Sequence, residues 1–145
     1  MPRLLVVEDG DEYEEFARLF LADRYEVVAV RSGADALAAL GREPIDALLI
    51  DLRFERARAE DLVGDVGETA ARLFAGDEVR AARWIKEQQG TLVLAALREA
   101  GHLQPAVFVH DFPPRRLANL RKMYGRVGAV VAFDAGAIAQ MLESL

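Results

Sequence analysis

The sequence predicts an α/β fold, a doubly wound five-stranded parallel sheet inside a three-layer sandwich, on three observations. Leu4-Leu5-Val6-Val7 and Ala47-Leu48-Leu49-Ile50 are continuous apolar runs, the pattern of strands covered on both faces rather than on one. Stretches with apolar residues at helical spacing separate the strand-like runs along the chain, which is the order of a βαβ fold. Both runs also stop at acids, Glu8-Asp9 and Asp51. In open parallel sheets the crevice beyond the carboxyl ends of the strands is where ligands bind. Three carboxylates gathered there repel one another unless a hard cation sits among them, and oxygen-only ligation suits Mg²⁺.

Taken in order, the first strand-like run is followed by a helix from about Asp11 to Asp23, with Phe16, Leu19 and Phe20 on one face. Val27 to Val30 is the second strand. Ser32, three residues before Asp35, is a capping-box-like start for a helix carrying Leu37 and Leu40 and ended by Gly41. Pro44 precedes the strand that ends at Asp51. Leu94 and Leu97 belong to a helix stopped by Gly101, and Ala106 to Val109 is the fourth strand. Pro113-Pro114 presets a helix start, with Leu117, Leu120 and Met123 at helical spacing behind it. Gly128 leads into a last strand, Ala129 to Phe133. Asp134 is placed to cap a final helix whose Ile138, Met141, Leu142 and Leu145 form the buried stripe.

Composition narrows the function classes. With 145 residues, 52% hydrophobic and 29% charged, the chain reads as one globular domain able to bury a large core. The absence of cysteine excludes disulfides and thiolate metal sites and fits a reducing compartment. A net charge of -6 argues against a nucleic-acid footprint. No segment reaches the roughly 20 apolar residues of a membrane span, and the amino terminus runs straight into a strand with no signal-peptide pattern. The expectation is a cytoplasmic protein without nucleic-acid or membrane partners.

Three stretches then carry a family likeness: Leu4 to Asp9, Tyr25 to Leu37, and Ile45 to Leu52. Together they resemble the receiver domain of two-component response regulators, closely over residues 1 to 53 and more weakly from Gly90 to the end. The resemblance implies a flavodoxin-like sandwich in one receiver-like domain over residues 1–145, with no appended output domain. It further implies that Glu8 and Asp9, with Asp51, hold Mg²⁺, and that Asp51 accepts a phosphoryl group from a histidine kinase or phosphotransfer protein. The chemistry is coherent, because phosphoryl transfer is mostly positioning and charge neutralisation, which a divalent cation supplies. Each acid alone is also explained as a polar turn favoured at a helix start.

The departures from the family matter as much. Receivers end strand four with Ser or Thr and strand five with Lys; here the corresponding ends read His110 and Asp134, with Ala135 or Phe133 if the alignment shifts. The only lysines, Lys86 and Lys122, lie elsewhere. Loss of one preorganised donor costs about 3 to 4 kcal/mol in comparable sites. Ala132 stands where the coupled aromatic of strand five is usual. Two readings of His110 remain open, a cation touching the phosphoryl group or a neutral ring filling the Ser/Thr space. Arg53 likewise either neutralises the acids without metal or points to solvent.

Residues 54 to 89 form an insertion after the phosphoacceptor strand. A structureless loop that long is improbable in a compact domain, so helices are expected at Glu60 to Phe74 and Glu78 to Gln88, with Asp77 capping the second. Leu73, Phe74, Trp84 and Ile85 form either a partner surface or a face turned onto the domain itself. The sequence therefore supports a pseudo-receiver signalling by protein contact, a phosphoacceptor receiver using Asp51 and Mg²⁺, or, less favoured, a Mg²⁺-dependent phosphohydrolase with Asp51 as nucleophile. Arg53 disfavours the last, since it stands where a haloacid-dehalogenase-like enzyme needs a second acid. Only the last of the three is an enzyme.

Overall fold

The computed structural model describes residues 1–145. Five parallel strands, β1 (Arg3–Val7), β2 (Glu26–Val30), β3 (Ala47–Ile50), β4 (Ala106–Val109) and β5 (Val127–Val130), pair in the order β2-β1-β3-β4-β5. The helices are α1 (Glu12–Phe20), α2 (Gly33–Arg42), α3 (Val66–Leu73), α4 (Glu78–Glu87), α5 (Gln89–Glu99), α6 (Pro114–Tyr124) and α7 (Ala135–Ser144). This is the doubly wound, flavodoxin-like sandwich expected, with no helix long and apolar enough to cross a membrane.

Strand alternation divides the core in two. Leu5, Val7, Leu48, Ile50 and Phe108 face α2, α5 and α6, whereas Leu4, Val6, Leu49 and Val107 face α1 and α7. All nine are fully buried, and each such side chain stabilises the fold by about 1.5–3 kcal/mol. This explains why β1 and β3 read as unbroken apolar runs. Register then sets the site: Val7 lies opposite Ile50, and the Asp51 N–H donates to the Val7 carbonyl at 2.9 Å, so the acids following the two strands emerge side by side.

Helix starts follow the capping residues. Ser32 Oγ accepts from Asp35 N–H, Asp77 Oδ1 from Arg80 N–H, and Asp134 Oδ1 from Ala137 N–H, at 3.0–3.1 Å. Gly41 does not end α2; the helix passes through it to Arg42. Met123, placed on the same stripe as Leu120 by spacing, is 66% exposed.

The last strand lies earlier than its sequence suggests. Val131-Ala132-Phe133 continue the apolar run, but β4 offers only four residues to pair with, and these take Val127 to Val130. Gly128 sits inside β5 because Met141 and Leu145 occupy the space where its side chain would stand. The chain leaves the sheet at Val130, and Val131 is 73% exposed.

The insertion holds the two helical stretches expected, but the first, Glu60 to Phe74, is broken rather than continuous. A 3-10 turn covers Ala59–Asp61, Gly64 at φ 123° breaks the chain, and Asp65 starts α3 by accepting from Glu68 N–H at 2.9 Å. Ala75 (φ 52°) and Gly76 (φ 89°) then turn α3 back into α4, with Gly76 N–H donating to the Ala70 carbonyl at 2.8 Å. This hairpin is fixed to the sheet. Phe54 is fully buried in the α2/α5 layer, and its N–H donates to the Lys86 carbonyl at 2.9 Å. Gln89, wholly buried, accepts from Val63 N–H at 2.7 Å and donates to the carbonyls of Val63 and Ile85. Gly90 N–H donates to the Leu52 carbonyl at 2.8 Å.

Candidate functional site

A pocket of about 430 Å³ opens at the carboxyl ends of β1 and β3, lined by acids Asp9, Glu12, Asp51 and Glu55, the cations Arg53 and Arg56, and the rings of Tyr13 and Phe133. Asp51 is strongly changed by its surroundings. Burial pushes its carboxyl up to about 6; the charges of Asp9 and Glu8 add to the rise, and the Arg53 N–H at 3.4 Å, followed by the Tyr13 hydroxyl, acts against it. Tyr13 stands over it from α1; its hydroxyl donates to the Val109 carbonyl at 3.5 Å, and burial beside Asp51 raises the phenol well above its usual range.

Glu8 is turned away from the pocket mouth. Its side chain is buried, with Oε1 accepting from Tyr13 N–H at 3.0 Å and Oε2 from Glu14 N–H at 2.8 Å. These are free amides of the first turn of α1, for which Asp11 provides no side-chain cap. Burial raises the Glu8 carboxyl, and the two amides act against that rise. Glu8 is thus the cap of α1, a specific form of the polar helix start that the sequence left open for it.

Asp9 is engaged as well, accepting from Arg56 N–H on Oδ2 at 2.6 Å. The Arg56 guanidinium lies over Gly10, where an added Cβ would fall 2.0 Å from Nη1, and grips both oxygens of Glu12. Its hydrogen bonds, with its charge adding to them, hold the Glu12 carboxyl down to about 2. The sequence leaves Arg53 either neutralising the strand-one acids or pointing to solvent. The structure gives the neutralising position to Arg56, while Arg53 lines the pocket without a carboxylate partner. A Mg²⁺ ion needs several oxygens aimed at one point. No three acids of the chain are so arranged, because Glu8 serves α1 and Asp9 serves Arg56. As arranged, the donor set does not fit a three-carboxylate metal centre.

His110 follows β4 and packs edge-on against Phe112, ring centroids 4.6 Å apart. Burial, with repulsion from Arg53, lowers its pKa, so the neutral ring is favoured. It is absent from the lining of the acid pocket. Asp134 is not at the strand end but caps α7, so its charge is directed at Ala137 N–H rather than at Asp51. The residue that closes the pocket from this side is Phe133, 4.8 Å from Tyr13 and 4.9 Å from Phe16. Within the insertion, Phe74 and Trp84 meet at 6.4 Å on the surface, whereas Ile85 is buried and belongs to the core side of α4.

No family model matches the sequence, and no curated protein matches it. Solved structures do. The receiver domain of the Francisella response regulator 1452 superposes with a TM-score of 0.65 at 13% identity, covering 99% of this chain and 95% of that one. The chemotaxis response regulator CheY4 of Vibrio cholerae gives 0.64 at 17% identity, over 99% and 98%. The receiver domain of NtrX from Brucella abortus gives 0.62 at 15%, over 98% and 99%. At such identities the likeness is one of architecture, and the architecture of this chain, from first strand to last helix, is that of the response-regulator receiver domains.

Proposed function

We propose that this chain is a pseudo-receiver: one receiver-like domain over residues 1–145, with an insertion at 54–89, that signals by protein contact and takes phosphate at Asp51 poorly or not at all. The observation that carries this reading is the residue that the last strand's exit brings to the pocket of Asp51. A phosphoryl group there needs a fixed cation, and the β5–α7 segment supplies the ring of Phe133 instead. Glu8 and Asp9 add to it, both already holding backbone amides. The test is exposure to a small phosphodonor followed by intact-mass measurement, with Asp51→Asn as control. No mass increase is expected; rapid stoichiometric addition lost in the control would refute the reading.

A second reading has one observation behind it: Asp9 and Asp51 share the pocket, and their charges couple. In that reading Asp51 accepts phosphate from a histidine kinase or phosphotransfer protein, with Mg²⁺ held by Asp9, Asp51 and a released Glu8. Binding then has to displace Arg56 N–H from Asp9 and uncap α1. A hydrolase is disfavoured, since the pocket places Arg53 rather than an acid two residues beyond Asp51.

A further inference from the structure

The hairpin of α3 and α4 carries a second cavity, about 290 Å³, lined by Phe74, Val79, Arg80, Arg83, Trp84 and Glu87. Three of these are apolar, and Val79 is 76% exposed. Arg80 lies over the Phe74 ring at 5.0 Å, and Phe74 meets Trp84 edge-on. Neither Arg80 nor Arg83 has a carboxylate at ion-pair distance. On a chain of net charge -6 this is a small region of opposite sign with an aromatic floor. Tryptophan and arginine together are the side chains most used as interface anchors.

We propose that this groove binds an acidic peptide segment of a partner protein, one that presents an apolar side chain between carboxylates. Arg80 and Arg83 are three residues apart on one helix and so stand about 5–6 Å from each other, a span that one apolar residue flanked by acids matches. The apolar side chain enters between Phe74, Val79 and Trp84. The acids take the two guanidiniums, and the apolar pocket between them distinguishes this site from a merely basic surface. The groove is also preformed. The left-handed turn at Ala75-Gly76 sets the hairpin, and the Gln89 bonds to Val63 and Ile85 tie it to the start of α5, so little ordering is needed on binding. This inference rests on the contact-signalling reading above and names its partner's chemistry. Its test does not touch Asp51.

Trp84 is the only tryptophan, so its emission reports the groove directly. The probe is a capped peptide Asp-Asp-Leu-Asp-Asp, with a second peptide carrying Lys for every Asp. The expected result is a saturable change in Trp84 emission with the first peptide only, weakened by added salt and weakened about tenfold or more in the Arg80→Glu, Arg83→Glu double variant. Val79→Asp, an exposed change, is expected to weaken it as well, and urea melts establish that both variants remain folded. An equal response to the lysine peptide, or none to either at millimolar concentration, overturns the proposal. So does an emission change on concentrating the protein alone, accompanied by dimer in sedimentation, which assigns the groove to a second copy of the chain.

Discussion

Arg56 and Asp9 are joined by a backbone-to-carboxylate hydrogen bond of 2.6 Å that links the start of the insertion to the acid turn after β1. The same residue's guanidinium grips Glu12 across Gly10, so one arginine spans the mouth of the pocket from β3's loop to α1. The pocket's acids are therefore partly neutralised from within the chain.

Arg56→Ala keeps the main-chain bond to Asp9 but takes the guanidinium's positive charge off Glu12 and the pocket mouth, which favours a cation there. With Arg56→Ala, Mg²⁺ at about five times its dissociation constant adds about 1 kcal/mol of stability by linkage, whereas the parent protein at the same concentration gains less. Thermal melts of both proteins with and without Mg²⁺ decide it. An equal response in the two would show that Arg56 does not guard the pocket.

Asp51 makes stability depend on pH in a particular direction. Its carboxyl lies near 6 in the folded chain against an ordinary 3.8, so between these values the folded state holds the proton more firmly than the unfolded one. A raised acid pKa means stability is lost as pH rises through that window, and the loss is complete above it. Asp51→Asn is accordingly expected to stabilise the protein by about 1–2 kcal/mol above pH 7 and to change it little below pH 4. Urea melts across the range test the sign.

Glu8 is predicted to act on stability without metal. Glu8→Ala leaves the Tyr13 and Glu14 amides without acceptors in a buried setting, an expected cost of about 1–3 kcal/mol. The melt is made in the presence of a chelator. Unchanged stability there would remove the capping role and return Glu8 to the metal.

Gly90 tolerates no side chain. A Cβ there would fall 2.3 Å from the Asp51 carbonyl oxygen and 2.9 Å from Leu52 Cα, both backbone atoms of β3's exit. Gly90→Ala is expected to cost about 1–3 kcal/mol, the range for overpacking. It should also broaden the amide signals of Asp51 and Leu52 in NMR spectra.

The sheet and most helix starts are legible in the sequence because burial on two faces and capping both leave local marks: the runs ending at Val7 and Ile50, and the oxygens of Ser32, Asp77 and Asp134. The end of β5 is not, since Val131 and Phe133 prolong the apolar run and only pairing with β4 shows where the strand stops. Gly64 marks the break before α3, yet the helical spacing on either side of it masks that signal. The site is half legible. Asp51 and Asp9 line the pocket expected at the strand ends, but Glu8's turn toward α1 depends on the free amides of Tyr13 and Glu14. Arg56 reaches Asp9 through its main chain, which no residue type reveals. Phe133 is visible in the sequence only as a strand residue, not as a wall of the pocket.

The bonds from Phe54 to Lys86 and from Gly90 to Leu52 divide the insertion into a part free to change and a part that is not. One residue added between Lys86 and Gly90 rotates the succeeding helix by about 100° and sets a side chain against the Asp51 carbonyl in place of hydrogen. Length changes near the Ala75-Gly76 turn meet no packed neighbour, because an added Cβ at Gly76 touches nothing, provided a glycine keeps the φ of 89° there. The hairpin tip is thus a place where descendants of this chain can exchange one binding specificity for another while the strand bearing Asp51 keeps its shape.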